Sequence, residues 1–184
     1  YNDGKIDKSI SVVNNGYKTN DYLLKIIRLY ELGFENVLVV LDSKNELTKI
    51  EKLCGERVIK IGIRLAIKEE PQSPYHTSRL GIREDEIEAF YKNRIQNNER
   101  FELKMLHFFV DSGIRDNLYF WGEFQRALEL YVRLKKQSDS LNSFNLGGGM
   151  PIRNNLGFEF DYEYMIKEIV HNIKNACVAE NIDD

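Results

Sequence analysis

The amino-acid sequence predicts an α/β fold in which parallel strands alternate with helices. Five short apolar runs begin near residues 10, 37, 58, 103 and 142, and an amphipathic segment follows each of them. Alternation of this kind is typical of parallel sheets joined by right-handed crossovers. The run Asn36–Leu41 is apolar at nearly every position, which favours a strand buried on both faces.

The predicted elements follow one another without interruption. The first strand, over 10–13, ends at Asn14-Asn15-Gly16, which is a turn signal. Ser43 and Glu46 have the spacing of a capping box and should open the second helix. The full prediction is strands over 10–13, 36–41, 57–66, 102–110 and 142–146, helices over 20–32, 43–54, 83–97, 117–136 and 161–176, and a polar loop over 68–81.

Two architectures fit this order of elements. One is a doubly wound sheet, and the other is part of a TIM (β/α)8 barrel. A whole barrel needs eight units and about 250 residues, so about five units in 184 residues would make an incomplete barrel. We therefore expect 1–184 to be one partial barrel domain, the central segment of a longer enzyme.

Composition excludes several functional classes. Hydrophobic residues make up 42% and charged residues 30% of the chain, as in ordinary globular proteins. A formal net charge of -3 gives no reason to expect nucleic acid as a partner. No apolar run approaches the roughly 20 residues that span a bilayer. Cys54 and Cys177 lack CxxC spacing, which favours reduced thiols in a cytoplasmic protein.

The residues most suited to chemistry follow the strands. In both architectures, sites lie where the carboxyl ends of strands meet their loops. Gly147, Gly148 and Gly149 follow the fifth strand, and a loop of glycines can aim several N–H groups at a phosphate. Ser112 follows the fourth strand and offers a hydroxyl donor. The alternatives are a flexible turn at the glycines and an ordinary turn hydroxyl at Ser112.

Three other polar residues lie at or near this edge. Lys18 is expected to be a solvated lysine. Arg64 interrupts an apolar strand, so either an acidic partner or a ligand is expected beside it. His107 lies within the fourth strand, where a histidine of the core is the favoured interpretation.

Five segments in order resemble one enzyme family. They are Asn14–Lys18, Ile63–Ala66, Ser78–Gly81, Leu106–Gly113 and Leu146–Gly149. Together they are similar to segments of the pyridoxal-phosphate decarboxylases of the ornithine, diaminopimelate and arginine group, which have an alanine-racemase-like barrel. The biosynthetic arginine decarboxylase branch gives the nearest match, and the resemblance extends from about residue 10 to 176.

The resemblance implies a function and a site. It implies conversion of arginine to agmatine for polyamine synthesis, with pyridoxal phosphate as cofactor and magnesium as a possible second one. Gly147, Gly148 and Gly149 would form the phosphate loop, assisted by Ser112, while Phe109 would stack on the cofactor ring. A homo-oligomer, dimer or larger, is also implied for the full-length protein.

Two features depart from the family pattern. Phe109 takes the place of the family's stacking histidine, and a phenyl ring neither donates nor accepts a proton. Asp111 takes the place of a glycine and adds a negative charge near the expected phosphate. The Schiff-base lysine of the family is expected outside this chain, so we expect no decarboxylation by the chain alone.

Two alternatives to the decarboxylase remain open at the level of sequence. The departures at Phe109 and Asp111 would suit a barrel that binds pyridoxal phosphate or another phosphate ligand without catalysis. A doubly wound domain that binds a nucleotide is the other alternative, and it would place Gly147 at a reversal of strand order.

Overall fold

A computed structural model describes residues 6–67, 80–110, 117–148 and 160–182. Strands and helices alternate along these ranges, as the hydrophobic pattern predicts. The strands are β1 (Ser11–Asn14), β2 (Asn36–Leu41), β3 (Ile59–Ala66), β4 (Ile82–Arg83), β5 (Phe101–His107) and β6 (Ser143–Asn145). The helices are α1 (Asn20–Glu31), α2 (Lys44–Leu53), α3 (Glu84–Arg94), α4 (Asn117–Lys135) and α5 (Tyr162–Ala179).

The strands form one parallel sheet in sequential order. The path runs β1-β2-β3-β5-β6, and every described pair of strands is parallel. A doubly wound sheet reverses its strand order at a switch point, and no reversal occurs among the described strands. The prediction of a partial (β/α)8 barrel is therefore confirmed over the doubly wound alternative. The assignment of 1–184 to one domain stays a prediction.

One strand was not predicted. The two-residue strand β4 pairs with Leu65 and Ala66 at the carboxyl end of β3. The Gly81 N–H donates to the Asp42 carbonyl oxygen at 2.8 Å, which places β4 on the β2 side of β3. Two residues are too few to show a periodicity, and the sequence pattern assigns Arg83 to the following helix instead.

The core lies between the sheet and the helices. Strand β2 is buried on both faces, as its continuous apolar sequence predicts. Val37, Val39 and Leu41 pack toward the helices in the main cluster, whereas Leu38 and Val40 form a small cluster with Met105 on the opposite face. Within the described residues no helix is long and apolar enough to cross a bilayer.

We expect Gly122→Ala to stabilise the protein. Gly122 lies on the exposed side of α4, and a Cβ added there has no atom within 4 Å. Alanine forms helix more favourably than glycine by about 1 kcal/mol, so the free energy of unfolding should rise by about 0.5–1 kcal/mol. Urea denaturation followed by circular dichroism measures the change, and an unchanged midpoint would contradict the prediction.

Candidate functional site

The glycine loop leaves the sheet directly after β6. Gly147 has φ +70, and a Cβ there would lie 2.7 Å from Phe109 Cδ2 and 2.8 Å from the Phe108 carbonyl oxygen. Gly148 is more open, because its nearest neighbour would be Phe109 Cε2 at 4.0 Å. The loop therefore requires glycine at 147 for both its backbone angle and its close approach to β5.

Asn145 fixes the start of this loop. Its Oδ1 accepts a hydrogen bond of 2.8 Å from the Gly147 N–H, and its backbone oxygen accepts one of 2.8 Å from the Phe108 N–H. The Gly147 N–H is thus already bonded within the loop. A phosphate in this loop would therefore be bound by the backbone N–H groups that follow Gly147. Gly147 itself would allow the turn of the backbone.

The aromatic ring of Phe109 lies between the glycine loop and a cation. Phe109 is half-buried, and the Arg64 guanidinium carbon lies 5.4 Å from the centre of its ring. A guanidinium within about 6 Å of an aromatic ring is attracted by the ring quadrupole. The structure thus brings Gly147, Gly148 and Phe109 together, while Ser112, Gly149 and Asp111 lie outside the described residues.

A buried group of four charged side chains lies at the same edge of the sheet. This charge cluster consists of Lys18, Asp42, Glu46 and Arg64. Lys18 follows β1 and Asp42 follows β2. Glu46 lies in the first turn of α2, and Arg64 lies near the carboxyl end of β3. The Lys18 Nζ lies 3.1 Å from Glu46 Oε2 and 3.4 Å from Asp42 Oδ2. Arg64 Nη1 lies 3.5 Å from Asp42 Oδ1. Two cations therefore face two carboxylates.

The prediction that Lys18 is solvated is wrong. Its side chain is 0% exposed, and its Nζ also donates to the Gly16 carbonyl oxygen at 2.5 Å. A buried ammonium is stable only when paired and hydrogen-bonded, and the two carboxylates meet that condition. A lysine at the carboxyl end of β1 and an aspartate at the carboxyl end of β2 were the sequence signal for this pair.

The predicted capping box is also wrong. Ser43 precedes α2 as its N-cap residue, but its side chain makes no capping hydrogen bond. Glu46 accepts from the backbone N–H groups of Asp42 at 2.9 Å and Lys18 at 3.2 Å instead. Glu46 thus links α2 to the residues that follow β1 and β2. The Ser43–Glu46 spacing predicted a capping role for a residue that belongs to the charge cluster.

His107 is a buried residue of the core, as predicted. It pairs in register with Arg64 on one side and Asn145 on the other, and within the described part of the chain its Nδ1 has no hydrogen-bond partner. Burial lowers the pKa of His107, and the nearby Arg64 charge lowers it further. Hydrogen bonding with Asn145 and the charge of Asp42 oppose this shift in part.

We expect stability to fall below pH 6.5 because of His107. A lowered pKa in the folded protein means that the unfolded chain binds the proton more readily. The stabilisation is therefore full above the ordinary pKa of 6.5 and is lost as pH falls toward the folded value. The slope from one group is at most about 1.4 kcal/mol per pH unit. Thermal unfolding between pH 5 and 8 measures it, and His107→Gln should flatten the profile; an equal slope in this variant would contradict the assignment.

A separate cavity lies at the opposite end of the sheet. It has a volume of about 320 Å³ and is lined by the first residues of several strands, among them Ser11, Asn36 and Ser143. Sites in barrels of this class lie at the carboxyl ends of the strands, so this cavity is not the candidate site. Within the four described ranges no three His, Cys, Asp or Glu side chains group to hold a metal ion. Magnesium stays a prediction.

Comparisons with known proteins identify the family of this chain. Residues 7–183 match the family model described as pyridoxal-dependent decarboxylase, pyridoxal binding domain. The biosynthetic arginine decarboxylase of Prochlorococcus marinus (strain MIT 9215) is 25% identical over 186 residues, covering 94% of this chain and 28% of the relative. That of Geobacter sp. (strain M21) is 22% identical over 183 residues, covering 92% and 29%.

Solved structures show the same fold. The biosynthetic arginine decarboxylase of Campylobacter jejuni superposes with a TM-score of 0.72 at 21% identity, covering 96% of this chain and 30% of its own. The diaminopimelate decarboxylase of Helicobacter pylori gives a TM-score of 0.69 at 20% identity, and the superposition covers 89% of this chain and 41% of that structure. This chain thus spans less than a third of the length of these biosynthetic arginine decarboxylases.

The match covers nearly all residues, and the fold has the sequential parallel strands that the family requires. The glycine loop and the aromatic ring beside it lie at the carboxyl ends of the strands. The chain belongs to the pyridoxal-dependent decarboxylase family and corresponds to its pyridoxal-binding domain.

Proposed function

We propose that this chain forms the pyridoxal-phosphate-binding part of an enzyme that decarboxylates arginine to agmatine. The observation that carries the proposal is the packing of Gly147 and Gly148 against Phe109 at the carboxyl edge of sequential parallel strands. The similarity to arginine decarboxylases supports arginine among the amino acids that this family decarboxylates. Polyamine synthesis, a cytoplasmic location and a homo-oligomeric whole protein are parts of the same proposal.

The described residues fit a ligand that combines a phosphate with an aromatic ring. The N–H groups from Gly148 onward would bind the phosphate, since Gly147 donates to Asn145. Gly149 and Ser112 are proposed to complete that phosphate site. The Phe109 ring would stack against the ligand ring, and Arg64 supplies a cation at its side.

Pyridoxal phosphate, when bound, supplies an electron sink that makes loss of a carboxylate possible. The part of this chain described here contributes placement. Phe109 offers a flat apolar surface and cannot take part in proton transfer. His107 precedes Phe109 by two residues and is buried, and burial lowers its pKa, which favours the neutral imidazole at pH 7.

The whole protein that carries this chain provides the test. It should release agmatine from arginine in the presence of pyridoxal phosphate, and more slowly the corresponding amines from ornithine, lysine and diaminopimelate. Faster turnover of one of those three would reject arginine as the substrate. The present chain alone, with the same cofactor, should give no sustained agmatine production; sustained production would contradict its role as a part.

A binding barrel without catalysis is the second candidate, and Phe109 favours it. A phenyl ring in place of the family's histidine removes a titratable group from the ring-stacking position. The two candidates separate in one experiment on the whole protein. Binding of pyridoxal phosphate without release of carbon dioxide from any of the four amino acids would favour the binding barrel.

A further inference from the structure

The charge cluster has an internal asymmetry. Glu46 is held firmly, because its two oxygens accept from the Lys18 Nζ and from two backbone N–H groups. Asp42 is held less firmly. Its Oδ2 lies 3.4 Å from Lys18 Nζ, while its Oδ1 is buried and has no hydrogen-bond partner among the described residues. Arg64 lies 3.5 Å from that same oxygen, as an ion pair without a hydrogen bond.

Among the residues that the structure describes, the weak contact with Asp42 leaves the Arg64 guanidinium available. An unrestrained arginine and aspartate form a close bidentate pair, and nothing of that kind forms here. Asp42 contacts both Lys18 and Arg64, so the positive charge of Lys18 weakens the electrostatic attraction between the Asp42 carboxylate and the Arg64 guanidinium. The Arg64 side chain is 14% exposed. Its guanidinium lies over the ring of Phe109, the residue that packs against the glycine loop.

We infer that Lys18 is a positioning residue that prevents Asp42 from capturing Arg64, and that Arg64 thereby binds an anionic oxygen of the ligand stacked on Phe109. Glu46 anchors Lys18 in this arrangement, and Asp42 orients Arg64 by charge alone. This inference rests on the proposed function, because the ligand over Phe109 is the pyridoxal-phosphate ring or an amino acid joined to it. The anionic oxygen is the ring hydroxyl in the first case and a carboxylate in the second.

A charge-balanced pair of substitutions tests the inference. Lys18→Met with Glu46→Gln removes one positive and one negative charge and retains side-chain size. Asp42 then has Arg64 as its remaining partner in the cluster, and we expect the guanidinium to close onto it. Replacement of both partners of a buried pair is often neutral for stability, so the unfolding midpoint should stay near that of the wild type.

Ligand binding gives the readout. Pyridoxine 5′-phosphate carries the ring, its hydroxyl and the phosphate but no aldehyde, so it binds without covalent reaction with lysines. If Arg64 binds the ring hydroxyl, the affinity for this compound, measured by titration calorimetry, should fall about tenfold in the double variant, which is the loss expected for one charge-assisted hydrogen bond. The affinity for inorganic phosphate should stay unchanged, because the glycine loop is untouched.

Two further variants isolate the role of Lys18. Glu46→Gln alone leaves Lys18 beside Asp42, so the affinity for pyridoxine 5′-phosphate should stay within about twofold of wild type. Arg64→Gln should weaken binding about tenfold in the wild-type chain and have no added effect in the double variant, because the two changes act through one contact. Lys167→Met with Glu163→Gln changes an exposed pair on α5 in the same way and should alter neither stability nor binding.

The outcomes separate the possible failures. An additive effect of Arg64→Gln would overturn the inference, and so would wild-type affinity for pyridoxine 5′-phosphate in the double variant combined with an unchanged KM for the amino acid in the whole protein. An equal loss of inorganic phosphate would show that the loop itself was disturbed, which also overturns it. If the double variant does not fold, a tenfold loss in Glu46→Gln alone rejects the role assigned to Lys18. A wild-type chain that binds no pyridoxine 5′-phosphate would reject the proposed function instead.

The same variants in the whole protein distinguish the source of the anionic oxygen. If Arg64 binds the ring hydroxyl, the double variant should lose affinity for pyridoxine 5′-phosphate in the absence of amino acid. If it binds an amino-acid carboxylate, that affinity should hold and the KM for the amino acid should rise. No change in either quantity would overturn the inference.

Discussion

Gly147→Ala should destabilise the chain and weaken its binding of phosphate more than tenfold. A non-glycine residue in the left-handed region costs about 1–3 kcal/mol, and the added methyl group would lie 2.7 Å from Phe109 Cδ2. Relief of that overlap requires either the loop or the Phe109 ring to move. We expect a loss of about 1–3 kcal/mol in the free energy of unfolding and more than tenfold weaker binding of inorganic phosphate.

Gly148→Ala is the matched control for this prediction. A methyl group at 148 has room, since its nearest neighbour would be 4.0 Å away. Its stability should equal that of the wild type, while its phosphate affinity reports whether the ligand approaches the backbone closely there. Urea denaturation and calorimetric titration with phosphate provide both quantities. Equal stability of the 147 and 148 variants would contradict the geometry described for Gly147.

Lys18→Met alone should cause the largest loss of stability of any substitution considered. Removal of the ammonium leaves Asp42 and Glu46 buried, and the remaining cation of the cluster, Arg64, contacts only Asp42 among the described carboxylates. Loss of one partner of a buried ion pair costs about 3–5 kcal/mol, because the other charge is left uncompensated. The midpoint of urea unfolding should shift accordingly, and the loss should shrink when Glu46→Gln is added.

Lys167→Met provides the control for Lys18→Met. Lys167 pairs with Glu163 on the surface of α5, with side-chain exposures of 70% and 78%. Exposed pairs of this kind contribute little because water and salt screen them, so the unfolding midpoint should not change measurably. A similar midpoint for the two lysine variants would show that Lys18 is not held as described.

The order of strands and helices was predictable because the strands are clear apolar runs in the sequence. The continuous apolar sequence of Asn36–Leu41 required a strand buried on both faces, and the structure contains it at the same residues. The turn at Gly147 was also predictable, because glycines after a strand are turn signals, and Gly147 has φ +70. In contrast, the two-residue strand β4 carries no pattern of its own and depends on pairing with β3.

The charge cluster could not be predicted from local pattern. Lys18 and Glu46 are 28 residues apart, and each has an ordinary local explanation, as a surface lysine and a capping-box glutamate. Only the three-dimensional arrangement of β1, β2 and α2 brings them within 3.1 Å. Burial of Lys18 then follows from the pairing and not from the side chain's own preference, which is for water.

The glycine loop follows a very short strand, and this should lower the free energy needed to open the loop locally. Strand β6 has three residues, all half-buried, and within the described residues it pairs with β5 alone. Such a segment should open locally at a free energy well below that of global unfolding. A bound phosphate ligand would close it, so amide hydrogens of residues 143–148 should exchange rapidly in the free chain and slowly in the complex. The loop that is proposed to hold the ligand would then owe its own order to the ligand.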